Sequence, residues 1–571
     1  MSCVPPAPVA LHRYCVVMKK YILFLVSLLF SMGTYAQTGW QLTTEDQQVQ
    51  KLNAIESNED GTFFQLRFLA TSPSYTYSLE VIDSTGTASY SSTFSLPDSG
   101  FNHKVVSFQA DTVLNRLVVI SQYEDSVNYY MHLLVLNFFL TPQDSMHFGV
   151  SKINADQLIV NGGGIDYAFN KIIVYNYRDA LDQIWTRGVA RKTITGSMKS
   201  NSFKAGQASN DGIYIHDCTV TPTGYIYIGG ARKESLSGNF IYLEKVNSSL
   251  STIYEVKDQL IQSNTFTNHI SSIHVYNTTA TSQVVVSGTI YGLAPGDTII
   301  RSHGFIRAYN ANGLQRWNYQ NYEVRDYTKV IAKNSYVHAV GTNNKSVSGL
   351  DTKITRLFLK DGALDWNRYY AGKSVPMGLQ VEKDGSILIC GDKNTTVMMA
   401  DGTSKTVRSY MLTRYSKHGK RLFDYNHLWS ILPGTTGVAA ALTDIATGRS
   451  GNYYAAGWEH LIASFSGTEA YFDSVRTIQF VNGALRTGLE EPANEKLIIR
   501  PNPARNEILF DSEFQIIDFV IADAKGGITS IENMQQEGLS YRCDISSLSP
   551  GLYILKIRTE RGWKSARFIK E

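Results

Sequence analysis

The sequence predicts an all-β protein, a β-propeller followed by a small C-terminal β-sandwich. Short apolar runs that end in glycine recur through the middle of the chain. Turn glycines followed four residues later by an aromatic residue recur between them, and no convincing amphipathic helix interrupts either series. Of the 571 residues, 18% are charged and 43% hydrophobic, a composition that excludes intrinsic disorder.

The first element is a targeting segment at residues 1–36. Two lysines precede the apolar run Tyr21–Met32, which is too short to cross a membrane as a helix. This pattern predicts a signal peptide for the Sec translocon, with cleavage between Ala36 and Gln37. Met18 opens the basic segment, so we expect translation to start there.

Removal of this segment leaves a mature chain without net charge. The segment carries three of the 53 basic residues and none of the 50 acidic ones. A balanced chain lacks the basic face that nucleic acid requires, so we expect no nucleic-acid partner.

The repeats lie within residues 37–480, the predicted propeller domain. Six apolar runs end in glycine at intervals of about 50 to 67 residues: Leu158–Gly162, Ile226–Gly229, Val284–Gly288, Val337–Gly341, Ile387–Gly391 and Tyr453–Gly457. A degenerate copy, Leu117–Ser121, ends in serine. Seven blades are expected, six or eight remain open, and a tandem of β-sandwiches is the architectural alternative.

The turn glycines mark hairpins between strands. Gly313 precedes Trp317, Gly362 precedes Trp366, and Gly419 precedes a phenylalanine at the same spacing. Asn-Gly and Asp-Gly pairs at these turns predict type I′ hairpins. The stretch resembles bacterial propeller-repeat proteins, and the resemblance implies that both tryptophans pack between neighbouring blades.

The last eighty residues change in pattern. A polar linker, residues 481–495, precedes a compact β unit at residues 496–571. The unit opens with Pro501-Asn502-Pro503, and its later turns contain Gly526 and Ser549-Pro550-Gly551, which we expect to be a type II turn. An apolar strand follows, and the chain ends in a basic Phe-Ile-Lys sequence.

These motifs, in this order, resemble the type A sorting domain of type IX secretion. The resemblance implies a β-sandwich that the outer-membrane translocon recognises and that a sortase-like peptidase usually removes. Carried over by position, the recognition elements are Pro501, Asn502, Pro503, Gly526, Leu548, Gly551, Tyr553 and Lys570.

Chemistry-bearing motifs are scarce. His216 and Cys218 fall on one strand face by alternation, but two ligands do not make a metal site, so burial in a strand is expected instead. Gly162-Gly163-Gly164 lacks a following helix and predicts an inter-blade turn. Trp317 and Trp429 could line a carbohydrate platform. For these aromatics and for His460, however, we expect a structural role.

The cysteines do not form a disulfide framework. Cys218, Cys390 and Cys543 lie far apart in the mature sequence and are expected as buried free thiols, with one bridge left open. The sequence thus predicts neither a catalytic residue nor a cofactor or metal.

Two functions are compatible with the sequence. We expect a secreted or surface-attached binding or scaffold module that takes a glycan or protein and reaches the surface through the periplasm of a Gram-negative bacterium. The alternative is a secreted propeller hydrolase or lyase acting on polysaccharide or peptide.

Overall fold

The computed structural model describes residues 38–45, 49–57, 63–71, 74–82, 88–95, 101–111, 115–235, 238–258, 268–277, 282–293, 296, 298–343, 351–398, 403–425, 435–447, 453–465, 468–480, 499–512, 516–523, 528–529, 534–537, 540–559 and 562–571. Ala36, Gln37, Trp429, the predicted linker and Gly526 lie outside these residues. All regular elements in the described ranges are strands, and no helix there is long and apolar enough to span a membrane.

The chain divides into two compact units, Met1–Leu485 and Arg486–Glu571. In the first unit the described strands are grouped in fours, and we number these groups as sheets 1 to 8. Their strands are, for sheet 1, β2 (Val49–Ser57), β3 (Phe63–Thr71), β4 (Ser74–Ile82) and β5 (Ala88–Ser95); for sheet 2, β6 (Phe101–Asp111), β7 (Arg116–Glu124), β8 (Asn128–Asn137) and β9 (Pro142–Ser151); for sheet 3, β10 (Ala155–Ile165), β11 (Lys171–Asp179), β12 (Trp185–Lys192) and β13 (Met198–Lys204); and for sheet 4, β14 (Gly212–Val220), β15 (Ile226–Glu234), β16 (Gly238–Val246) and β17 (Thr252–Asp258).

The remaining strands of this unit continue the pattern. They are, for sheet 5, β18 (His269–Asn277), β19 (Ser282–Gly292), β20 (Arg301–Asn310) and β21 (Gln315–Asn321); for sheet 6, β22 (Val324–Lys333), β23 (Tyr336–Asn343), β24 (Thr352–Phe358) and β25 (Leu364–Tyr370); for sheet 7, β26 (Ser374–Val381), β27 (Ile387–Met398), β28 (Ser404–Tyr415) and β29 (Arg421–Tyr425); and for sheet 8, β30 (Thr435–Thr447), β31 (Tyr453–Phe465) and β32 (Thr468–Phe480), completed by β1 (Thr38–Glu45).

The sheets are antiparallel meanders whose first strands touch in sequence. Each first strand contacts the first strand of the next sheet, from β2 through β6, β10, β14, β18, β22 and β26 to β30, and β30 contacts β2. Ile82 of sheet 1 packs on Ala446, Tyr454 and Ala456 of sheet 8. Sheets 3 and 4 are joined by one parallel bridge between Trp185 and Gly212.

Every first strand among the described residues carries a register shift, where a β-bulge adds residues without a partner. The shifts lie between Gln50 and Asn53, Val105 and Ser107, Val160 and Gly162, Ile215 and Asp217, Ile270 and Ser272, Tyr327 and Lys329, Pro376 and Gly378, and Leu442 and Asp444.

The bulges explain the recurring strand glycines. A methyl group at Gly341 would lie 1.8 Å from the Asp326 carbonyl oxygen, because the bulged first strand approaches the second strand there. The glycines at 230, 288, 391 and 457 would meet the first strand in the same way, at 1.9 to 2.1 Å. In sheet 4 the glycine at the bulge is thus Gly230, whereas the predicted Gly229 faces the Ile273 side chain of sheet 5. Only a residue without Cβ fits at such a distance.

Sheet 3 departs from this pattern. Leu158–Gly162 lies on its first strand, β10, whereas the other predicted runs lie on second strands. The Gly162-Gly163-Gly164 run is part of that strand, so the predicted inter-blade turn is wrong. A methyl group at Gly163 would lie 2.1 Å from the Ile172 carbonyl oxygen, so the close approach has moved to the first strand.

The hairpins between the third and fourth strands of sheets 2 to 7 share a residue in the left-handed region. Each has a residue with φ between 62° and 88°: Leu140, Gly196, Leu250, Gly313, Gly362 and Gly419 in sheets 2 to 7. Neither Asn312 nor Asp361 has a positive φ, so the predicted type I′ turns are wrong. The Gly313 N–H donates to the Asn310 carbonyl oxygen at 3.0 Å, as in a type I turn followed by a left-handed glycine.

The hairpin glycines receive aromatic rings from the preceding sheet. A methyl group at Gly362 would lie 2.6 Å from the Trp317 ring, and the Trp317 indole N–H donates to the Leu359 carbonyl oxygen at 2.8 Å. Trp366 sits against Gly419 in the same way and donates to the Lys417 carbonyl oxygen at 3.0 Å. Both tryptophans are buried, which confirms their predicted packing between neighbouring sheets.

Sheets 3 and 4 meet instead through a buried ion pair. The Arg187 guanidinium binds both carboxylate oxygens of Glu244, and both side chains are 1% exposed. Thr252 and Tyr242 donate hydroxyl hydrogen bonds to the Glu244 carboxylate at 2.6 and 2.7 Å. Asn201 accepts another guanidinium N–H at 2.8 Å, so the pair is extensively hydrogen-bonded.

The second unit forms two four-stranded sheets. Sheet 9 has the order β33 (Ile499–Arg500), β34 (Glu507–Asp511), β38 (Ser540–Asp544), β37 (Met534–Glu537), and sheet 10 the order β36 (Ile528–Thr529), β35 (Ile516–Asp523), β39 (Gly551–Thr559), β40 (Gly562–Lys570). Alternating apolar side chains of both sheets, among them Ile508, Phe510, Tyr541, Leu555 and Phe568, form one buried core.

Candidate functional site

The Pro-Asn-Pro segment and the C-terminal strand lie side by side, although they are far apart in sequence. The Ile569 N–H donates to Asn502 Oδ1 at 2.9 Å, and the Ala504 N–H donates to the Ile569 carbonyl oxygen at 2.8 Å. The Glu571 N–H donates to the Ala504 carbonyl oxygen at 2.9 Å. These bonds cover the outer polar groups at the end of β40, which is an edge strand of sheet 10.

The Ser-Pro-Gly segment reaches the same end of β40 from its other side. Gly551 begins β39 and pairs with Lys570. Its φ is not positive, so the predicted type II turn is wrong. The Tyr553 hydroxyl donates to the Ser549 carbonyl oxygen at 2.9 Å and holds the segment against the sheet, while Leu548 is buried in the core.

The predicted recognition residues therefore separate into two kinds. Leu548, Tyr553 and Lys570 are buried, and the Lys570 ammonium donates to the Glu571 carbonyl oxygen at 2.6 Å. The other described members, Pro501, Asn502, Pro503 and Gly551, are exposed. The structure brings both kinds to one end of the sandwich.

Charges beside this edge are paired within the unit. The Arg505 guanidinium lies 3.0 Å from the Glu571 carboxylate, and the Arg500 guanidinium lies 2.7 Å from the Asp511 carboxylate. Hydrogen bonds from Ser546 hold the pKa of the Asp544 carboxyl below its usual range.

In the first unit, His216 and Cys218 face different neighbours. His216 lies at the bulge of β14, and its ring centroid is 4.8 Å from that of His269 in sheet 5. Cys218 faces sheet 3, where a methyl group at Gly162 would lie 2.9 Å from its Sγ. The predicted shared face is wrong because the bulge interrupts the alternation of the strand. The predicted burial of His216 is also wrong, because the bulge leaves this residue partly exposed to solvent.

The His216 imidazole is held in its neutral form. Desolvation by the surrounding protein, with His269 nearby, lowers the pKa of His216 to about 4. The adjacent Asp217 carboxylate accepts the Ile273 N–H at 2.7 Å and so links sheets 4 and 5. Burial raises the pKa of the Asp217 carboxyl.

Metal-binding groups and disulfides are both missing from the described residues. No three His, Cys, Asp or Glu side chains there are placed to hold a metal ion. Cys218, Cys390 and Cys543 are free thiols. Burial raises the pKa of all three, that of Cys543 to about 11, so none is an activated nucleophile.

A cleft of about 300 Å³ lies between sheets 2 and 3. Its walls are Gln122, Tyr123, Glu124, Tyr129, Gln157, Leu158 and Ile159. The Lys152 ammonium is 2.7 Å from the Glu124 carboxylate, and the Tyr129 hydroxyl donates to the Asp156 carbonyl oxygen at 2.6 Å. The charged group in the cleft wall is therefore already paired.

Three exposed aliphatic side chains lie beside the cleft on adjoining loops. Val127, Ile153 and Leu181 are 54%, 84% and 93% exposed. The loops are tied together, because the Lys152 N–H donates to the Val127 carbonyl oxygen at 2.8 Å and the Ala180 N–H to the Asn154 carbonyl oxygen at 3.1 Å. The sequence gives no signal for this patch, since its members come from three loops.

Comparison with known proteins identifies the second unit. Residues 499–571 match the family of the secretion system C-terminal sorting domain. No curated protein matches the chain.

Two solved structures show only distant likeness. A subtype N10 neuraminidase-like protein of A/little yellow-shouldered bat/Guatemala/060/2010 is 7% identical, with 77% of this chain and 97% of that chain covered and a TM-score of 0.28. An ACO/RPE65 chimera in a trigonal crystal form is 11% identical, with 69% and 94% covered and a TM-score of 0.33. Likeness at this level carries no argument about the first unit.

The sorting domain assigns the route of the protein. Residues 499–571 form a type IX secretion C-terminal sorting domain, which confirms the resemblance seen in the sequence. The chain is therefore a cargo of the type IX machinery, and is secreted or attached to the cell surface.

Proposed function

We propose that this type IX cargo protein carries an eight-bladed β-propeller that serves as a binding or scaffold module outside the cell. The observation that carries the binding role is the exposed aliphatic patch of Val127, Ile153 and Leu181 beside the cleft between sheets 2 and 3. Contiguous exposed apolar side chains are costly in water and mark interaction sites.

Closure of the ring is supported by the order of contacts. The first strands touch in succession, and β30 contacts β2. Sheet 8 takes its outermost strand, β1, from the N-terminal end of the domain, with Thr43 paired to Arg476. Eight sheets of this kind favour eight blades. The glycine pattern predicts seven because sheet 1 lacks the marker glycine.

Binding is favoured over hydrolysis by the state of the polar groups. Glu124 is ion-paired, Asp217 bonds to the backbone of a neighbouring sheet, and the His216 pKa is about 4. A glycosidase needs two carboxyl groups placed about a scissile bond, one of them kept protonated. A rigid surface needs only shape and apolar area.

The binding test uses the mature protein on an array of polysaccharides, with a hydrolysis screen on the same polymers. We expect retention without turnover, and an Ile153→Asp/Leu181→Asp variant to lose retention by about tenfold or more, because a charge replaces exposed apolar area that the bound partner covers. Leu314→Asp is the matched control, since Leu314 is 66% exposed in a hairpin of sheet 5. Turnover that one acidic substitution abolishes would establish the hydrolase or lyase instead.

Export is proposed to begin at the Sec translocon, with Gln37 as the mature N-terminus, and to continue through the periplasm. The sorting domain then engages the outer-membrane translocon and a sortase-like peptidase. Deletion of residues 496–571 should leave the protein in the periplasm, measured by fractionation. Mass spectrometry of the periplasmic form should find Gln37 first, and peptides from upstream of Met18 would contradict both the cleavage site and the start site.

A further inference from the structure

We propose that the type IX machinery reads one composite patch on the sorting domain, formed by Pro501–Pro503, Pro550–Gly551 and Ile569. The inference rests on the sorting role of residues 499–571 and adds which surface carries it. It assigns Leu548, Tyr553 and Lys570 to folding.

The motif residues of the sorting domain divide into buried and exposed ones. Leu548 and Tyr553 lie in the core that both sheets share, and Lys570 is 8% exposed. A partner protein cannot contact side chains that the fold already covers. Their identities therefore serve the sandwich, which must form before it can be recognised.

The exposed segments converge at the end of β40. Asn502 and Ala504 bond to the backbone of Ile569 on one side of β40, and Gly551 pairs with Lys570 on the other. Two segments almost fifty residues apart in sequence therefore flank the last residues of one strand. The patch exists only in the folded domain.

The patch is largely apolar. Ile569 is 48% exposed on the last strand, between the exposed segments that carry Pro501, Pro503 and Pro550, so it adds apolar surface where those segments meet. Prolines lose little conformational entropy on binding, so such a surface is pre-organised. Arg500 and Arg505 are each paired with an acid of the same unit, so these pairs add no net charge beside the patch, and an apolar partner surface fits it.

The backbone at the end of β40 is not open to recognition by strand addition. The Ile569 N–H and carbonyl oxygen and the Glu571 N–H are already bonded to residues 502 and 504. A strand of the machinery would find these groups occupied. The machinery is therefore expected to read side chains here.

The test uses the full chain in a bacterium that has type IX secretion, with the protein outside the cell measured against the periplasmic fraction. Ile569→Asp should lower the external fraction by about tenfold or more, since it places a charge in an apolar contact. Arg542→Asp, on the 47% exposed Arg542 side chain of sheet 9, is the matched control and should be exported like the parent. Unchanged melting of the purified variants shows that both fold.

If Ile569→Asp lowers the melting temperature, Ile569→Thr replaces it, because threonine is also β-branched but has less apolar surface. Normal export of this folded variant together with a Pro503→Ala/Pro550→Ala variant would overturn the patch. Equal loss from Arg542→Asp would also overturn it. Unchanged export after deletion of residues 496–571 would instead refute the sorting role itself, so the two failures are distinguishable.

Discussion

The boundary between sheets 3 and 4 and the boundaries among sheets 5, 6 and 7 join similar four-stranded sheets by different chemistry. Arg187 and Glu244 form a buried, hydrogen-bonded ion pair across the first boundary. Across the others, Trp317 and Trp366 fill the space above hairpin glycines. The same sheet arrangement therefore accommodates either an ion pair or a tryptophan at its boundaries. Only the tryptophan boundaries produce a repeated sequence pattern.

The ion pair should give the largest effect. Arg187→Met leaves the Glu244 carboxylate buried without its partner, so the free energy of unfolding should fall by about 3–5 kcal/mol. The double variant Arg187→Met/Glu244→Leu removes both charges and should recover most of that loss. Denaturant unfolding of the purified proteins measures both, and an equal loss in the single and double variants would contradict an electrostatic account of this boundary.

The tryptophan boundary should respond to ring removal and not to charge. Trp317→Ala should cost about 3 kcal/mol, because it empties the space between sheets 5 and 6. Trp317→Phe keeps most of the ring and loses only the hydrogen bond to the Leu359 carbonyl oxygen, at about 1 kcal/mol. The same denaturant series measures them, and equal losses would mean that packing does not hold this boundary.

The hairpin residues allow a reciprocal exchange. Gly362→Ala forces a side chain into a φ of 71° against the Trp317 ring and should cost about 1–2 kcal/mol. Leu250 has a φ of 68° but is buried, at 3% exposure. Leu250→Gly therefore should also destabilise, because lost packing outweighs the relieved backbone strain. Stabilisation by Leu250→Gly would show that strain dominates at that hairpin.

Acid should weaken the tryptophan region by a smaller amount. Burial lowers the pKa of His338 in sheet 6 to about 3 and of His274 in sheet 5 to about 4. The unfolded chain takes up these protons below pH 6.5 while the folded chain does not, so stability falls as the pH falls from 6.5 towards 4. Each histidine should cost about 1 kcal/mol between pH 6.5 and 5.5.

His338→Leu isolates this effect. The variant should lose less stability than the parent over that pH interval, measured by thermal melting at each pH. An identical pH dependence in the two proteins would remove His338 from the account.

How far the sequence could predict this structure depended on where glycine was required. Gly313, Gly362 and Gly419 were visible because aromatic residues follow them at a constant spacing. The matching hairpins of sheets 2 and 4 carry no such signal, because Leu140 and Leu250 take the left-handed position that glycine holds elsewhere. A buried leucine can offset the backbone strain by packing, and no local pattern announces that.

The candidate sites divide in the same way. The Pro-Asn-Pro and Ser-Pro-Gly motifs could be found by order alone, but their meeting at Ile569 depends on pairings across the whole domain. The bulge that separates His216 from Cys218 is set by the contact of two strands and has no marker in the sequence of β14.

The most direct test of the central claim is a transfer experiment. Residues 496–571 are fused to an unrelated, folded protein that carries a Sec signal peptide, in a bacterium with type IX secretion, and the external fraction is measured. We expect the fusion to reach the medium or the cell surface, while the same protein without residues 496–571 stays in the periplasm. Retention of the folded fusion in the periplasm would contradict it.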